Sequence, residues 1–399
     1  MDVVEYIRGM AARARAASGE LARLSTEAKN AALAAVADAL ERHAEAIRAA
    51  NAADVEQAKQ AGLAAAMVDR LTLTGARFQA MVEGVRRVAS LPDPVGEVLW
   101  SRERQSGITI RKVRVPFGVV AVVFESRPNV FVDTAALCLK AGNAVILRGG
   151  KEAAGTNGVL AQVVREALGA LGEAVQFVAI PDHRAVDELV RAVGLVDVAI
   201  PRGGERLIRA MCEAALIPVL KHYKGVCHIY VDDEADLGMA LSILDNAKTQ
   251  RPGVCNAAEC LLVHRRIAPL FLPMVEAWAK DRGVTLHEGE AGTEYLSLDI
   301  NVAVVDDVCA AIAFINEHSS HHSECIVTNN AGRAQEFLRD VDSACVYHNV
   351  STRFTDGGEF GMGAEIGIST DKLHARGPMG LEELTTYKYT ITGDGVIRK

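Results

Sequence analysis

The apolar run Gly118-Val119-Val120-Ala121-Val122-Val123-Phe124 decides the fold class of this chain. It follows an interruption at Pro116 and contains no polar side chain. A strand that is apolar on both faces is typical of a parallel sheet with helices on each side. We therefore predict that this run is a buried strand of an α/β fold.

The sequence beyond this run alternates between apolar strands and helix-like stretches. Parallel strands need crossover connections, so the alternation predicts a parallel sheet covered on both faces. After Asp236 a helix leads to a connection, and a second alternation predicts a second α/β unit in series. The predicted strands are 144–147, 175–180, 196–200 and 228–231, then 259–263, 300–305, 324–328 and 343–346; helices are predicted at 131–141, 154–168, 184–193 and 204–214.

The two ends of the chain have different patterns. The first hundred residues are rich in alanine, with apolar residues at helical spacing, which predicts a helical region. Residues 385–392 alternate like an edge strand, and residues 108–114 alternate as a strand with one basic face. An exposed edge strand invites pairing with another chain, so these strands predict a small β oligomerisation element. A tail packed on its own domain is an equally good interpretation.

Composition excludes several classes of protein. The chain has 399 residues, 50% of them apolar, which is enough for the cores of two or more domains. A net charge of −8 gives no support for a nucleic-acid or membrane-surface protein. No apolar run approaches the roughly 18 residues of a membrane helix, and a signal-peptide core is lacking. We expect a cytoplasmic enzyme.

The eight cysteines are scattered without a CxxC pair, so a disulfide framework is not expected. Seven of them lie in contexts that predict buried structural thiols. Cys255 differs because it follows a Pro-Gly break in Thr249-Gln250-Arg251-Pro252-Gly253-Val254-Cys255-Asn256. A thiol on such a connection can reach a substrate, so Cys255 is the predicted nucleophile, with a structural cysteine as the alternative. Asn256 could help to form an oxyanion hole or stabilise the thiolate.

Two basic glycine turns follow predicted strands and precede predicted helices. They are Arg148-Gly149-Gly150-Lys151 and Pro201-Arg202-Gly203-Gly204. Backbone amides at a helix N-terminus, with nearby cations, form an anion site suited to a nucleotide phosphate. Neighbouring parallel strands end at one edge of a sheet, where ligands of open α/β folds bind. No GxGxxG fingerprint follows a strand, and no P-loop occurs.

Two polar loops supply further candidates. In Ser351-Thr352-Arg353 the guanidinium suits a substrate carboxylate, although a solvated surface loop is the alternative. His318-Ser319-Ser320-His321-His322 has metal-like spacing, but no well-placed further ligand accompanies it. We expect a polar loop there and no metal site.

Several segments resemble the gamma-glutamyl phosphate reductase branch of the aldehyde dehydrogenase superfamily, whose members are also called glutamate-5-semialdehyde dehydrogenases. The resemblance runs in order from the N-terminal helices to the tail and is most specific around Cys255. It is carried by residues 124–130, 147–150, 201–204, 246–256, 351–356, 363–370 and 373–380.

This resemblance implies an aldehyde dehydrogenase-like fold with two parallel-sheet α/β domains and a small β oligomerisation element. Residues 1–232 would be the NADPH-binding domain, with the strand at 106–115 contributing to the oligomerisation element. Residues 233–370 would be the catalytic domain with Cys255, and residues 371–399 the C-terminal segment and oligomerisation tail. A homo-oligomer is expected.

The same resemblance implies a reaction, the NADPH-dependent reduction of L-glutamyl 5-phosphate to L-glutamate 5-semialdehyde in proline biosynthesis. Cys255 would attack the acyl phosphate, phosphate would leave, and hydride from NADPH would reduce the thioester. Asn129 is the oxyanion donor that the family indicates, and Ser126 and Arg127 are placed to meet the phosphate.

The resemblance also bears on the cofactor, the substrate and a partner. Arg148 and Lys151 become candidates for binding the 2′-phosphate of NADPH, and Asn256 joins the substrate-binding residues together with Ser351, Thr352 and Arg353. Acyl phosphates hydrolyse in water, so a transient contact with glutamate 5-kinase is a further expectation.

One departure separates the chain from hydrolytic aldehyde dehydrogenases. Those enzymes carry a Glu-Leu-Gly-Gly type motif whose glutamate activates water, whereas this chain reads Lys221-His222-Tyr223-Lys224-Gly225-Val226-Cys227-His228 there, without glutamate. A reductive enzyme should avoid activating water, because hydrolysis wastes the thioester. The alternatives are a CoA-dependent or hydrolytic aldehyde dehydrogenase and a catalytically silent scaffold.

Overall fold

The structure, a computed structural model, describes residues 2–398, which contain 13 α-helices and 15 β-strands. The helices are α1 (Val3–Leu21), α2 (Thr26–Arg42), α3 (Ala44–Gln60), α4 (Ala65–Leu71), α5 (Gly75–Ser90), α6 (Pro128–Lys140), α7 (Ala154–Leu168), α8 (Arg184–Val190), α9 (Glu205–Ala214), α10 (Leu237–Thr249), α11 (Ala268–Arg282), α12 (Val308–His318) and α13 (Ala331–Asp340).

The strands are short and most of them alternate with these helices. They are β1 (Val98–Glu103), β2 (Thr109–Pro116), β3 (Val119–Phe124), β4 (Ala144–Arg148), β5 (Val175–Phe177), β6 (Val198–Arg202), β7 (Cys227–Val231), β8 (Ala258–His264), β9 (Thr285–His287), β10 (Asp299–Val305), β11 (Ser323–Val327), β12 (Cys345–His348), β13 (Gly367–Ser369), β14 (Gly377–Met379) and β15 (Thr385–Thr392). Short 3-10 helices lie at Lys151–Ala153, Gly169–Ala174 and Thr352–Phe354.

The chain divides into two compact units. The first comprises Met1–Leu220, Met362–Gly367 and Met379–Lys399, and the second comprises Lys221–Gly361 and Ile368–Pro378. Within residues 2–398, no helix has both the length and the apolar character needed to cross a bilayer.

The first unit contains a four-stranded parallel sheet in the order β5-β4-β3-β6. β3 is the apolar run with which the sequence analysis begins, and all six of its residues are buried. α6 and α8 pack against β3, α7 against β5 and α9 against β6, so helices supply the apolar neighbours that such a strand requires. The predicted buried strand and parallel sheet are confirmed.

The N-terminal helices of the first unit pack around this sheet. α2 and α3 lie against α7, and α5 lies against α2 and α6. A buried ion pair joins the Nζ of Lys29 to the Oδ2 of Asp93 at 2.9 Å. Gly118 precedes β3 with a φ of +123°, and a Cβ there would lie 2.5 Å from the Oδ2 of Asp197. That carboxylate accepts the Val119 amide at 2.7 Å, so a glycine is required for the chain to enter β3.

A separate antiparallel sheet in the first unit has the order β1-β2-β15. β15 has the predicted bounds and pairs along its whole length with β2. The Nζ of Lys112 lies 3.6 Å from the ring centroid of Tyr387, and the rings of Trp100 and Tyr389 are 5.7 Å apart. The tail thus packs on its own unit, while one edge of β15 has no partner strand within the described residues.

The second unit contains a six-stranded parallel sheet in the order β12-β11-β7-β8-β10-β9. β7, β8 and β11 are buried at every residue. Successive residues of these strands point to opposite faces of the sheet and pack into two separate cores. Ile229 and Leu261 pack with α10 and α11, and Tyr230 and Leu262 pack with α12 and α13.

Two predictions from the sequence are wrong. Residues 227–231 lie inside the predicted first domain, 1–232, but β7 pairs with β8 and β11 and belongs to the second sheet. The apolar sequence of a strand indicates burial on both faces and does not specify its neighbours. The prediction that all cysteines other than Cys255 are buried also fails, because Cys309 is exposed and Cys212 is half-buried.

Candidate active site

Three loops of the first unit follow the carboxyl ends of neighbouring strands. β4, β3 and β6 are adjacent and parallel, so the loops that begin at Glu125, Gly149 and Gly203 share one edge of the sheet. This edge is where open α/β folds bind ligands. The structure therefore brings the two predicted glycine turns together and adds the loop that leads into α6.

Two carboxylates accept hydrogen bonds from main-chain amides of these loops. The Oε2 of Glu125 accepts the Gly204 amide at 2.9 Å, at the N-cap of α9. The Oε1 of Glu152 accepts both the amide and the hydroxyl of Ser126, at 2.8 Å and 2.6 Å. Ser126 is buried and has a positive φ of 43°. Amides at a helix N-terminus favour anions, and in this structure the anions that they meet are these two carboxylates.

Glycines keep this edge of the sheet open. A Cβ at Gly149 would collide with the side-chain amide of Asn157, and a Cβ at Gly203 would lie 2.6 Å from the Oε2 of Glu125. Asn157 is fully buried, and neither its Nδ2 nor its Oδ1 has a hydrogen-bond partner within residues 2–398. Asn157 lies directly behind Gly149, so position 149 has no room for a side chain and its main chain stays open to the phosphates of a nucleotide. This cradle fits a dinucleotide.

The two cations predicted for a 2′-phosphate differ in accessibility. Arg148 is buried, and its Nη2 donates to the Pro181 carbonyl at 3.5 Å. Burial lowers the pKa of Arg148, while Glu152 and Glu125 act in the opposite direction. Lys151 is exposed at the start of the 3-10 helix Lys151–Ala153. Of the two, Lys151 is the cation that a ligand in solution can reach.

The predicted oxyanion donor, Asn129, lies in the first turn of α6 in the first unit. Its Nδ2 donates to the Oδ2 of Asp133 at 2.9 Å. Burial raises the pKa of Asp133 to about 6, although Asn129 and Arg202 oppose that shift. Asp133 fixes the orientation of the Asn129 amide and uses one of its two hydrogens. Arg127 is half-buried at the N-cap of α6.

Cys255 lies on the turn that joins α10 to β8 in the second unit and is half-buried. Its carbonyl oxygen accepts a hydrogen bond from the Sγ of Cys227 at 3.2 Å. Gly225 packs directly on the main chain of Cys255, so that a Cβ at Gly225 would collide with the Cys255 carbonyl. The turn is thus fixed from beneath by the segment that precedes β7.

The predicted substrate loop lies beside this turn. The Nδ2 of Asn256 donates to the carbonyls of Arg353 and Thr355 at 3.3 Å and 2.8 Å, and the Arg353 guanidinium donates to the Oδ1 of Asn256. The Oγ1 of Thr352 donates to the Asn256 carbonyl at 2.7 Å, and the Oγ of Ser351 accepts the Arg353 amide at 3.3 Å. Thr352 is fully buried, so it joins the loop to the Cys255 turn.

A buried polar network lies near the turn. The Nδ1 of His322 is 2.8 Å from the Oγ of Ser323 and 3.7 Å from the Sγ of Cys227. The Ser323 hydroxyl is 2.6 Å from the Oγ1 of Thr355, which is 2.7 Å from the Tyr347 hydroxyl. Burial lowers the pKa of His322 to about 3, and its Nε2 has no hydrogen-bond partner in the described chain. The ring is therefore neutral, which excludes it as a charged partner of the thiol.

A buried ion pair that was not predicted from the sequence lies at the base of the turn. The Nζ of Lys248, near the end of α10, lies 2.7 Å from the Oε2 of Glu259 in β8, and both side chains are fully buried. The Oε1 of Glu259 also accepts the Leu296 amide at 3.2 Å. Burial lowers the pKa of Lys248 and raises that of Glu259 to about 7. Lys248 and Glu259 lie in different elements on either side of the turn, so the periodicity of a single helix or strand does not indicate this pair.

Comparison with known proteins identifies the family. The model of the aldehyde dehydrogenase family matches residues 4–289. Two curated proteins named gamma-glutamyl phosphate reductase align over the whole of both chains, from Thermobifida fusca (strain YX) at 51% identity and from Geotalea daltonii (strain DSM 22248 / JCM 15807 / FRC-32) at 50%. The crystal structure of a gamma-glutamyl phosphate reductase from Thermotoga maritima superposes with a TM-score of 0.97 at 43% identity, covering 98% of this chain and 100% of that one.

The chain belongs to the aldehyde dehydrogenase family, in its gamma-glutamyl phosphate reductase branch. It is an oxidoreductase, and the fold predicted from the resemblance, with two parallel-sheet α/β units and an antiparallel element, is confirmed. Aldehyde dehydrogenases use nicotinamide cofactors, which matches the class of ligand indicated by the glycine turns.

Within this aldehyde dehydrogenase, the predicted site residues fall into two groups. Ser126, Arg127 and Asn129 lie in the first unit with the glycine turns. Cys255 and Asn256 lie in the second unit with the loop 351–353. Among the described residues, Asp232, Asp233 and His264 could hold a metal ion, but Arg333 pairs with both carboxylates. His321, from the predicted polar loop, bonds through Nδ1 to the Asp342 carbonyl.

Proposed function

We propose that this enzyme reduces L-glutamyl 5-phosphate to L-glutamate 5-semialdehyde with NADPH, releasing phosphate, as a step of proline biosynthesis. The names of its full-length relatives and the Cys255 motif support this assignment. The reaction consumes one acyl phosphate, one NADPH and one proton. It yields the aldehyde, NADP⁺ and inorganic phosphate.

The packing around Cys255 is the observation that carries the proposal. The segment 221–228 lies against the nucleophile's main chain through Gly225 and Cys227, and it contains no carboxylate. Glu294 does reach this segment, but its Oε1 accepts the Gly225 amide at 2.7 Å. An acyl group on Cys255 is therefore not presented with a water-activating glutamate from the segment that supplies one in hydrolytic relatives.

The chemistry at Cys255 proceeds in two stages. Its thiolate Sγ attacks the C5 carbonyl of the acyl phosphate, the carbon–oxygen bond to the phosphoryl group breaks, and phosphate leaves with that electron pair. The resulting thioester accepts a hydride at the same carbon, and the carbon–sulfur bond of the hemithioacetal then breaks to release the aldehyde. We assign the stabilisation of the developing oxyanion to the remaining Asn129 N–H.

The first unit would hold the cofactor. NADPH, when bound, supplies the hydride. Lys151 is the proposed contact for its 2′-phosphate, and the amides of Gly204 and Ser126 are the proposed contacts for its other phosphates, in place of Glu125 and Glu152. Arg148, Gly149, Gly150, Pro201, Arg202 and Gly203 shape the same two turns. We expect the wild type to have a lower KM for NADPH than for NADH. In Lys151→Ala the difference between these two KM values should disappear.

We also propose that the enzyme is a cytoplasmic homo-oligomer. The unpaired edge of β15 and its exposed Tyr387, Tyr389 and Ile391 support self-association. A transient contact with glutamate 5-kinase would shorten the exposure of the acyl phosphate to water.

The reverse reaction tests the proposed function. NADPH formation is followed from glutamate 5-semialdehyde, in equilibrium with its cyclic pyrroline, with and without inorganic phosphate. We expect NADPH formation only with phosphate, because phosphate must attack the Cys255 thioester. Formation at the same rate without phosphate would indicate a hydrolytic aldehyde dehydrogenase, and a requirement for CoA instead would indicate an acylating one.

A further inference from the structure

Arg353 spans the turn that carries Cys255. Its Nε donates to the Oε1 of Gln250, before the cysteine, at 3.0 Å. Its Nη1 donates to the Oδ1 of Asn256, directly after the cysteine. Both partners are neutral amides, so they orient the guanidinium without neutralising its charge. The half-buried side chain of Arg353 therefore keeps a full positive charge beside the nucleophile.

A second arginine lies next to this one. Arg251 follows Gln250 in the turn and is exposed. Burial lowers the pKa of Arg353, and repulsion by Arg251 lowers it further, whereas Cys255 and Asp356 act in the opposite direction. Arg251 directly follows Gln250, whose side chain accepts the hydrogen bond from Arg353, so both arginines belong to the surroundings of the Cys255 turn.

The pair lacks the carboxylate that accompanies other arginines in this unit. Arg333 pairs with Asp232 at 2.8 Å, and Arg282 pairs with Asp245 at 2.8 Å. In the described residues neither Arg251 nor Arg353 forms an ion pair with a carboxylate, and Asp356 acts on Arg353 only at longer range. Two adjacent cations repel one another, and an anion bound between them offsets that repulsion. Guanidinium groups bind phosphate in a bidentate manner, which makes a phosphoryl group a well-matched anion.

The position of the pair distinguishes between the two anionic ends of the substrate. In L-glutamyl 5-phosphate the phosphoryl oxygen is bonded to the carbon that Cys255 attacks, whereas the α-carboxylate lies at the far end of the five-carbon chain. Cations beside Cys255 therefore meet the phosphoryl end. Ser126, a further candidate for the phosphate, belongs to the first unit and is not part of the Cys255 turn.

Building on the proposed function, we propose that Arg251 and Arg353 together bind the phosphoryl group of the substrate and the phosphate that leaves it. Negative charge grows on the phosphate oxygen as its bond to the acyl carbon breaks, and the two guanidinium groups stabilise that charge. In the reverse direction the same pair binds inorganic phosphate for attack on the thioester. Arg353 is oriented by Gln250 and Asn256, and the exposed Arg251 supplies the second contact.

Arg251→Gln tests this site in the reverse reaction. We expect the KM for inorganic phosphate to rise about tenfold or more, the effect of losing one charge-assisted hydrogen bond, with the KM for the semialdehyde changed less than twofold. The KM of Arg251→Lys for inorganic phosphate should lie between those of the wild type and Arg251→Gln, because lysine keeps the charge and loses the bidentate geometry. Arg265→Gln is the matched control, since Arg265 is an exposed arginine of the same unit that pairs with Asp306.

A second readout does not depend on turnover. Inorganic phosphate should slow the alkylation of Cys255 by iodoacetamide in the wild type, followed by mass spectrometry of the cysteine peptide. Half-maximal protection of Arg251→Gln should need about ten times more phosphate, whereas Arg265→Gln should match the wild type.

The outcomes separate the site from the reaction. Wild-type turnover without phosphate would overturn the proposed function, and this site with it. Phosphate-dependent turnover with an unchanged phosphate KM in Arg251→Gln would overturn the site alone. So would a rise confined to the KM of the semialdehyde, because the pair would then bind the α-carboxylate. Because Arg251 is exposed, loss of folding does not obscure the comparison.

Discussion

At the scale of single residues, the main chain beneath Cys255 leaves no room for a methyl group at Gly225. We expect Gly225→Ala to lower kcat by roughly a hundredfold, because a small displacement of a nucleophile is costly. The same overpacking should lower the free energy of unfolding by about 1–3 kcal/mol. Steady-state kinetics and urea denaturation measure both effects.

The control for this substitution is a glycine in open space. A Cβ at Gly19, in α1, would meet no atom within 4 Å. Gly19→Ala should leave kcat unchanged and raise the free energy of unfolding by about 0.5–1 kcal/mol. Wild-type kinetics in Gly225→Ala would show that the position of the turn does not depend on this contact.

His322 gives a pH dependence whose sign follows from its burial. Burial, with His222 adding to it, lowers the pKa of the folded state's His322 from 6.5 to about 3. Between these two values only the unfolded chain takes up the proton, so the free energy of unfolding falls as the pH falls through this window. The slope is about 1.4 kcal/mol for each pH unit.

Substitution of His322 should remove that slope. From pH 6.5 to pH 5 the wild type should lose about 2 kcal/mol more unfolding free energy than His322→Gln, as measured by urea denaturation. The exposed His43 is the control, and His43→Gln should follow the wild-type curve. Parallel curves for His322→Gln and the wild type would contradict a neutral, buried imidazole.

The Cys255 turn could be found from sequence, but most of its environment could not. A thiol after Pro-Gly between a helix and a strand is a local signal, and the structure places Cys255 on that connection. Cys227 and Gly225 reach the turn through the tertiary fold, across almost thirty residues of chain. Local patterns contain no information on such contacts, so the residues that support the Cys255 turn were not predictable.

At the scale of elements, α10, the Cys255 turn and β8 form a loop closed at its base by Lys248 and Glu259. Removing one member of a buried pair leaves the other charge without a counterion. Glu259→Gln should therefore lower the free energy of unfolding by about 3–5 kcal/mol. Lys248→Met combined with Glu259→Leu should recover most of that loss, because apolar groups of similar volume replace both charges.

Activity shows whether the pair also positions the turn. We expect the double variant to fold and yet lose roughly tenfold or more in kcat, since the turn loses its fixed base. Lys29→Met combined with Asp93→Leu removes the buried pair of the first unit and should keep wild-type kcat. A fully active Lys248→Met/Glu259→Leu enzyme would limit the pair to a role in stability.

Elements were predictable where both faces are buried. β3, β4, β8 and β11 are buried at every residue and mostly apolar, and their predicted bounds match the structure within one or two residues. β1 was missed because it reads Val-Leu-Trp-Ser-Arg-Glu and is mostly exposed, so neither apolar content nor clean alternation marks it. β5 ends at Phe177 and not at residue 180 because the chain there leaves the sheet toward α8.

At the scale of the whole molecule, the division of the chain depends on strand pairing, which the sequence does not specify. The domain boundary predicted at 232/233 separates β7 from β8, although the two strands are hydrogen-bonded neighbours. Residues 362–367 return to the first unit, residues 368–378 belong again to the second, and residues 379–399 complete the first. The order of segments along the chain does not show that these late segments pack with the first unit.

The antiparallel sheet makes self-association testable. We expect Tyr389→Asp combined with Ile391→Asp to convert the oligomer to monomer in sedimentation velocity, because buried charge would destabilise an interface on β15. Leu270→Asp changes an exposed apolar residue of α11 and should keep the wild-type mass. A monomeric wild type, or a double variant of unchanged mass, would remove the proposed role of this sheet.

The most direct test of the central claim is to trap the acyl group on Cys255. The enzyme is incubated without cofactor, with L-glutamyl 5-phosphate generated from glutamate and ATP by a glutamate 5-kinase, and its peptides are analysed by mass spectrometry. We predict one glutamyl group on Cys255, lost on addition of NADPH as semialdehyde forms, and none in Cys255→Ala. Sustained turnover by Cys255→Ala, or an acyl group on another residue of an active enzyme, would contradict the thioester mechanism.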